Sequence, residues 1–559
     1  MSYIYQRRKW AKPVREPCMA EHGMVAAKHP LIGKTGVDIM KKGGNAVDAA
    51  VAAAFVDCVV EPAMNGIGGE GVMAIHMADG DNAIIDYVGR PSKDCAPDMY
   101  ELLDETEPGW MGWRRVKDDA NMIGYRAVTV PGTVAGLAKA LELHGTLELE
   151  EVMKPAIKIA EEGFAVGWWT ASPIYRAMTV FSRFPEWRRI FLKEGKYPPS
   201  PYAHAKKAAP DLLVNRDLAR SLKLISEGPD AFYKGEIAEA IAKDMAENGG
   251  LITLEDLAMY EPIVVEPVPG TYRGHEVIYD PTHAGTTLMQ ILNILEGFDL
   301  AGYGFGSFEH LHLTAEAIGL AYADRFEHMG DPGFVRVPQK GLVSKEYAKM
   351  LRKKIGFEKA VEAIPGDPWP YEQCTTALTV VDEERNMVAI NQTIVNSFGS
   401  GVVIPGTGIV MNNAMYGLNP EPGHANSISG RKRRIQNVCP VILLRNGKSF
   451  LAIGAPGGRA IQTSIVQTIV NVTDFGMDIQ SAIEAPRITR EVGEVQVDNR
   501  FSEEVSDKLS EVGHQTAYID KEIGSWARPV GILVDQDRDV LHGGVECHFL
   551  GFESEAIGY

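Results

Sequence analysis

The chain has little cysteine, no apolar run after its basic N-terminal residues and no long hydrophobic run. Its six cysteines show no paired spacing, so the sequence predicts neither a disulfide framework nor a zinc site. The basic N-terminal residues 1–10 are followed by no apolar run, which argues against a secretory signal peptide. The most apolar segment, residues 46–60, is too short to span a bilayer and contains Asp48 and Asp57. We therefore expect a cytoplasmic protein.

Positive charge is also scarce. The formal net charge of -18 disfavours a nucleic-acid or anionic-membrane partner, because both carry negative charge themselves. The one dense basic cluster, residues 431–434, is interpreted as a solvated loop. A hydrophobic content of 45% indicates an ordinary globular protein with an ample core.

The order of predicted elements indicates stacked layers. Residues 1–20 are polar and predict an arm that packs on the surface or on a partner subunit. Residues 46–60 predict a buried Ala-rich helix, residues 130–260 and 305–360 predict further helices, and the chain after Thr375 is rich in strands. The proline-containing residues 369–371 predict an extended approach to Thr375. Segregated strands and helices favour layers over alternating βαβ units.

A glycine loop at residues 66–71 satisfies the pattern G-x-G-x-x-G. A dinucleotide-binding fingerprint requires the order strand, loop, helix, whereas this loop follows a helix and precedes a strand. A nucleotide-binding interpretation is therefore rejected.

The segment around Thr375 predicts a hairpin. Two β-prone runs flank the polar residues 383–386, which are typical of a turn. Antiparallel register then puts Thr375 across from the region of Thr393, within reach of a hydrogen bond between their hydroxyls. A threonine with a free α-amino group carries its own base, since that amine can take the hydroxyl proton as the oxygen attacks. On this segment alone, a Thr-rich edge hairpin without catalytic function is the simpler interpretation.

The rest of the chain, from about Gly23 to Tyr559, resembles the γ-glutamyltransferase family of N-terminal-nucleophile (Ntn) hydrolases. The resemblance depends on motifs that occur in order and at family spacing. They are Gly43-Gly44-Asn45-Ala46-Val47-Asp48-Ala49-Ala50, Gly66-Ile67-Gly68-Gly69-Glu70-Gly71, Val130-Pro131-Gly132-Thr133, Gln290-Ile291-Leu292-Asn293, Ala321-Tyr322-Ala323-Asp324-Arg325 with Gly330-Asp331-Pro332, Thr375-Thr376, Gly408-Ile409, Asn412-Asn413 and Pro456-Gly457-Gly458.

The resemblance implies a four-layer αββα sandwich with additional helices, built from one interlocked body. It implies self-cleavage between Cys374 and Thr375 into a large subunit, residues 1–374, and a small subunit, residues 375–559, forming a heterodimer with the capacity to dimerise further. Thr375 is then the nucleophile, Thr393 polarises its oxygen, and Gly457-Gly458 supplies backbone N–H groups to an oxyanion.

This chemistry requires no cofactor and no metal. The spacing of His310-Leu311-His312 suits a metal, but the sequence indicates no third ligand, so a surface or core role is expected.

The sequence departs from the family where glutathione-cleaving members hold both ends of the γ-glutamyl group. Ungapped alignment puts Val88 in place of the arginine that holds the carboxylate. Val395, Ala414 and Gly417 stand where residues for the α-amino end belong. Gln436-Asn437 replaces a serine pair. The clamp thus loses its charged side chains together.

The remaining polar residues suggest a different clamp. We predict substrate contacts from Asn396, Gln436, Asn437, Tyr416 and Arg90. Asn396 can replace Val395, and Arg90 can replace Val88. Arg90, Arg433 or Arg434 can hold an anionic acyl group.

Three interpretations of function follow from this departure. The first is a self-processing amidohydrolase for a small, anionic amide or acyl-amide, with water or an amine as acyl acceptor. The second is a true γ-glutamyltransferase or glutathione hydrolase with a rearranged pocket. The third is an uncleaved, inactive scaffold, which the presence of Thr375, Thr393 and Gly457-Gly458 argues against.

Overall fold

A computed structural model describes residues 15–104, 113–202, 209–361, 374–490, 493–520, 526–547 and 553–559. Most of the predicted N-terminal arm and the proline-containing residues 369–371 lie outside these ranges. The strands are β1 (Cys18–Ala20), β2 (Met24–Ala27), β3 (Glu70–His76), β4 (Asn82–Asp86), β5 (Phe164–Ala165), β6 (Leu212–Leu213), β7 (Ile263–Val265), β8 (Gly270–Tyr272), β9 (His275–Tyr279), β10 (Cys374–Val381), β11 (Met387–Val395), β12 (Val441–Arg445), β13 (Lys448–Gly454), β14 (Ile488–Thr489), β15 (Val495–Asp498), β16 (Thr516–Ile519), β17 (Val530–Asp535), β18 (Val540–Val545) and β19 (Glu555–Gly558).

The helices lie between these strands, in runs of up to five. They are α1 (Pro30–Met40), α2 (Ala46–Val60), α3 (Thr133–His144), α4 (Leu149–Glu162), α5 (Trp168–Phe181), α6 (Pro185–Phe191), α7 (Arg216–Ser226), α8 (Asp230–Tyr233), α9 (Glu236–Glu247), α10 (Leu254–Ala258), α11 (Ala284–Leu295), α12 (Leu300–Tyr303), α13 (Phe308–His328), α14 (Gln339–Leu342), α15 (Lys345–Arg352), α16 (Ala460–Thr473), α17 (Ile479–Glu484) and α18 (Glu503–Glu511). Short 3₁₀ turns span Lys117–Asp119, Tyr125–Ala127 and Ala414–Gly417.

Two seven-stranded sheets form the centre of the fold, with orders β1-β18-β17-β13-β12-β9-β8 and β19-β2-β10-β11-β3-β4-β7. Apolar side chains from both sheets share one core, in which Ala377 and Met387 pack with Ile442 and Ala452. Helix α2 joins a second core on the outer side of β10 and β11, and α11 and α16 join a third with β12 and β13. The predicted αββα sandwich is confirmed.

Each sheet combines strands that precede Cys374 with strands that start at or after it. Strands β10, β11 and β19 lie with β2, β3, β4 and β7, while β12, β13, β17 and β18 lie with β1, β8 and β9. Fragments cut after Cys374 would therefore remain joined by ladder hydrogen bonds and a common core. Strand β10 lies between β2 and β11, so the hairpin interpreted as an edge is central to its sheet.

Helix α2 shows why the sequence signal for the core was strong. The Asn45 side chain accepts hydrogen bonds from the N–H groups of Val47 and Asp48, and the Asp48 carboxylate accepts one from the Asn45 N–H. Every residue of the helix is buried, as its apolar composition on all sides requires. No helix in the described ranges is both long and apolar enough to cross a membrane.

Candidate active site

The hairpin β10–β11 brings the two predicted threonines together. Cys374 pairs with Val395 and Thr376 with Gln392, and the register shifts between them at Thr375. The Thr375 hydroxyl donates to the Thr393 Oγ1 over 3.4 Å. Both side chains are buried. The predicted pairing is confirmed, and the β-bulge places Thr375 outside the regular ladder, where its side chain can be re-aimed.

Val395 holds a strained backbone at the end of β11. Its φ of 80° is rare for a β-branched residue and costs about 1–3 kcal/mol. In this conformation the Val395 N–H donates to the Thr393 Oγ1 over 2.8 Å. The strain therefore orients the hydroxyl that contacts the Thr375 oxygen.

A buried carboxyl pair lies behind the threonines, and sequence reasoning missed it. Asp57 and Glu61 are one turn apart on and just after α2, and Asn65 Nδ2 donates to Asp57 Oδ2 over 3.2 Å. Burial raises the pKa of Asp57 well above its ordinary value and the charge of Glu61 raises it further, while Thr376 and Asn65, which face it, oppose the shift. Burial therefore favours the protonated form of Asp57, which lies beside Thr376. The available sequence signal was Asp57, an acidic residue in the interior of an apolar helix.

Gly457 and Gly458 lie in the turn between β13 and α16. Gly454 at the end of β13 lies against Ala377, since an added Cβ there would stand 3.4 Å from the Ala377 Cβ. Asn391 Nδ2 also donates to the Ala455 carbonyl over 2.8 Å. These contacts direct the turn toward the start of β10.

The backbone N–H groups of this turn are placed for anion binding. Gly457 has a φ of 139° and Gly458 a φ of 61°, which favour glycine. Within the described part of the chain, neither N–H donates to another group. They precede the N-terminus of α16, where the helix dipole favours negative charge. The oxyanion role stays a prediction with these features in its support.

Gly458→Ala tests that role. The substitution disfavours the positive φ and turns the N–H away, so kcat should fall by about 10²–10³, as when one oxyanion donor is lost. Gly447→Ala is the matched control, because Gly447 has a φ of 70° with nothing within 4 Å of an added Cβ. Both variants should lose similar thermal stability. Equal kcat losses in the two variants would assign Gly458 to the turn alone.

The positions that correspond to the family's glutamyl clamp are buried, and at Gly417 another side chain fills the neighbouring space. Val88 is buried in the core between the sheets. Ala414 and Gly417 lie in the 3₁₀ turn. The Arg434 side chain fills the space beside Gly417, where an added Cβ would stand 2.4 Å from the Arg434 Cδ.

Glu70 gathers the polar groups of this region into one network. Its Oε1 accepts from Arg434 Nε at 2.9 Å, from Arg434 Nη2 at 2.5 Å and from Gln436 Nε2 at 2.5 Å. Its Oε2 accepts from the Gly89 N–H at 2.7 Å. Glu70 is fully buried and is the β3 partner of Thr393 in the sheet. An internal ion pair therefore lies next to the β10–β11 hairpin.

Gln436 and Asn437 thus already have internal partners. The Gln436 amide oxygen accepts from the Asn437 N–H over 2.9 Å. The Asn437 Oδ1 accepts from Arg325 Nη2 over 3.0 Å. Their contact with substrate stays a prediction.

The interpretation of residues 431–434 as a solvated loop is wrong. Lys432, Arg433 and Arg434 are buried. Arg433 pairs with Asp331 over 2.9 Å and also with Asp86. Both aspartates are far from Arg433 in the sequence. Among the three arginines only Arg431 is partly exposed, and it pairs with Glu255 over 3.3 Å. Neither Arg433 nor Arg434 is an isolated positive charge that awaits an anion.

Arg90 differs from these arginines. Its Nη2 donates to the Glu261 carbonyl over 3.2 Å, and its guanidinium lies 5.7 Å from the centre of the Tyr260 ring. No carboxylate in the described residues lies within ion-pair distance of Arg90. Asn396 donates its backbone N–H to Asn413 Oδ1 over 3.0 Å. Tyr416 lies half-buried in the 3₁₀ turn. Roles in substrate binding stay predictions for all three.

His312, one of the two histidines considered as metal ligands, has neighbours in the structure that the sequence did not reveal. His312, rather than His310, groups with Glu316 and His514, with ligand-type atoms within 4.8 Å of one another. A third potential ligand therefore exists, contrary to the sequence analysis. Arg490 Nη1 lies 3.4 Å from Glu316 Oε1 and already supplies positive charge. Burial, followed by Arg490 and His312, lowers the pKa of His514 to about 3, so this histidine is neutral at physiological pH.

Comparison with known proteins gives concordant results. Residues 33–547 match the family profile described as Gamma-glutamyltranspeptidase. An acylase ACY 1 proenzyme from Pseudomonas sp. (strain SE83) is 41% identical over 504 residues, which cover 90% of this chain and 88% of that protein. A glutathione hydrolase proenzyme from Escherichia coli (strain K12) is 38% identical over 524 residues, covering 90% and 87%. A cephalosporin acylase structure from Bacillus halodurans superposes with a TM-score of 0.86 at 30% identity, covering 100% of this chain and 99% of that one.

Proposed function

Because the chain belongs to the γ-glutamyltranspeptidase family of self-processing Ntn amide hydrolases, we propose that its substrate is a small N-acyl amide whose acyl group carries a carboxylate but no α-ammonium. The proposal depends on the combination of an intact threonine pair with a closed glutamyl clamp. Its relatives include an acylase and a glutathione hydrolase, which correspond to this substrate and to the γ-glutamyl alternative.

Processing comes first in the proposed mechanism. The Thr375 hydroxyl attacks the Cys374 carbonyl, the peptide C–N bond breaks, and the acyl group moves from nitrogen to oxygen as an ester. Water hydrolyses that ester and leaves a carboxylate on Cys374 and a free α-amine on Thr375. Before this step the Thr375 nitrogen is an amide and cannot accept a proton, so cleavage creates the general base.

Turnover uses the same hydroxyl. The α-amine of Thr375 takes the hydroxyl proton while the oxygen attacks the substrate carbonyl, and the N–H groups of Gly457 and Gly458 meet the developing oxyanion. The proton passes to the departing amine, and an acyl ester remains on Thr375. Water, activated by the same α-amine, hydrolyses the ester. Thr393 holds the Thr375 oxygen in position throughout, through the contact of 3.4 Å.

The observation that carries the substrate assignment is the Glu70 network. A γ-glutamyl group brings a carboxylate and an ammonium, and each needs a partner when buried. Arg434 and Gln436 are committed to Glu70, and Arg434 fills the space beside Gly417. The Glu70 carboxylate accepts hydrogen bonds from four donor groups and is neutralised by Arg434. Neither charge of an α-amino acid finds a ready partner in this network.

Arg90 provides the test for the anionic part of the proposal. Arg90→Gln should raise KM for a glutaryl amide about tenfold or more, because a hydrogen bond to a charged group contributes about 1.5–3 kcal/mol. The acetyl amide, which has no carboxylate, should be unaffected. The measurement is steady-state kinetics of both amides on processed enzyme.

Arg126→Gln is the matched control. The Arg126 guanidinium lies 5.4 Å from the centre of the Tyr100 ring and donates to the Met99 carbonyl, as Arg90 does with Tyr260 and Glu261. Its loss should leave both substrates unchanged. An equal KM for the glutaryl amide in Arg90→Gln and in the parent would remove Arg90 from the site.

A true glutathione hydrolase is the second candidate. It is supported by the glutathione hydrolase relative and by Asn396, which follows Val395 at the end of β11. A cytoplasmic location and further dimerisation are additional proposals from the sequence.

A further inference from the structure

An open cavity of about 220 Å³ lies beside the end of β11. One side is the loop residues Asn396, Ser397 and Gly399. The exposed Arg176 also borders it. The remaining walls are apolar and come from a short segment before α3 and from helix α5: Met122, Ile123, Pro173, Ala177, Val180 and Phe181.

The cavity borders Asn396, the residue that follows the ladder partner of Cys374. Val395 is the ladder partner of Cys374, and paired Cα atoms in antiparallel strands are about 4.5–5.5 Å apart. Asn396, which borders the cavity, follows Val395 by one Cα–Cα step of about 3.8 Å. The border of the cavity thus lies within about 10 Å of the Cys374 carbonyl.

The position of Cys374 identifies the acyl side of the site. In processing, Cys374 is the acyl group that Thr375 attacks, so a substrate acyl group must approach the same oxygen from a comparable direction. On the side of Gly417 the space is filled by Arg434, which pairs with Glu70. The space beyond Asn396 stays open and apolar.

The volume suits part of a ligand rather than a whole one. Complete small-molecule sites are typically about 300–1,000 Å³. Water occupies about 30 Å³ per molecule in the liquid, so 220 Å³ accommodates a chain of several carbon atoms or one aromatic ring.

We propose that this cavity binds the apolar body of the substrate's acyl group, an alkyl chain or aryl ring of about four to six carbons. This inference rests on the proposed acyl-amide hydrolysis and deepens it. An unsubstituted alkanoyl group carries no carboxylate, so chain length is tested separately from the charge that Arg90 is proposed to hold.

The test is a series of N-acyl p-nitroanilides with acetyl, butanoyl and hexanoyl groups on processed enzyme. Because the amine is constant, any trend reports the acyl side. We expect kcat/KM to rise about fourfold for each added methylene that the cavity buries. Acetate, butanoate and hexanoate should bind to the processed enzyme with the same trend, measured calorimetrically without turnover.

Two variants fill the cavity. Val180→Phe adds bulk at its rim, where Val180 is 39% exposed and the fold tolerates a larger side chain. Ala177→Leu adds bulk at a buried wall. Both should lower kcat/KM for the hexanoyl amide about tenfold or more and leave the acetyl amide within about twofold, since only the longer chain reaches the filled space. Tyr175→Ala is the control, since Tyr175 is on the same helix, 68% exposed and outside the cavity lining.

Each outcome is decisive. A length-dependent series that Val180→Phe abolishes supports the cavity. A flat series, or equal losses for every acyl group in Val180→Phe, overturns it while the hydrolase assignment stands. Length-dependent binding of the acids without cleavage of any amide overturns the proposed function and retains the cavity. Flat binding with no cleavage overturns both.

Discussion

Thr375→Ala should remain a single chain of 61.1 kDa and show no amide hydrolysis. Without the Oγ of Thr375 there is no nucleophile for the Cys374 carbonyl, so the peptide bond persists and the α-amine never forms. In a serine protease, which also forms an acyl-enzyme, loss of the nucleophile costs about 10⁶ in kcat. Denaturing electrophoresis and a p-nitroanilide assay measure the two effects on one preparation.

Thr376→Ala is the control for this prediction. Thr376 is the neighbouring residue, is equally buried in β10, and faces Asp57 instead of Thr393. It should still yield two fragments. Thr375→Ser should process slowly and retain part of the activity, because a hydroxyl remains. A Thr375→Ala protein that cleaves, or a Thr376→Ala protein that alone fails to cleave, would transfer the nucleophile to Thr376.

The second large effect is discrimination between two substrates that differ by one amino group. Glutaryl-p-nitroanilide should exceed γ-glutamyl-p-nitroanilide in kcat/KM by at least about 100-fold. An ammonium group that loses its bound water and gains no carboxylate partner should raise the activation free energy by about 3 kcal/mol or more, which gives this ratio. The buried carboxylate paired with Thr393 across the sheet is Glu70, which Arg434 already neutralises.

Steady-state kinetics of the two anilides on one processed preparation provides the measurement. Gly417→Asp alone should not rescue γ-glutamyl turnover, because Arg434 occupies the space that the new side chain needs. Equal kcat/KM values for the two substrates would assign the chain to the glutathione hydrolases and make Asn396 and Arg90 the rebuilt clamp.

Local patterns predicted the parts of the site that local sequence determines. The turn at residues 383–386 and the two β-prone runs set the register that joins Thr375 to Thr393, since a two-residue side-chain period leaves few alternatives. The apolar residues 46–60 were predicted as a helix, and these bounds agree with the structure, in which Asn45 and Asp48 form a capping box at its start.

The ion-pair networks were beyond reach of the same reasoning. Glu70 and Arg434 are 364 residues apart, and Asp86 and Arg433 are 347 apart. Nothing in the local sequence of residues 431–434 distinguishes a solvated basic loop from one whose charges are buried against distant carboxylates. The pairing only appears once β3, β4 and this loop are folded together. The role of Val395 was equally hidden. A β-branched residue normally avoids a positive φ, so tertiary contacts must impose the one observed at Val395.

N-terminal sequencing of the smaller fragment of the wild-type protein tests the central claim most directly. The account predicts two fragments, with the smaller one beginning Thr-Thr-Ala-Leu-Thr from Thr375. A protein that hydrolyses acyl amides while intact, or a fragment that begins at any other residue, would contradict it.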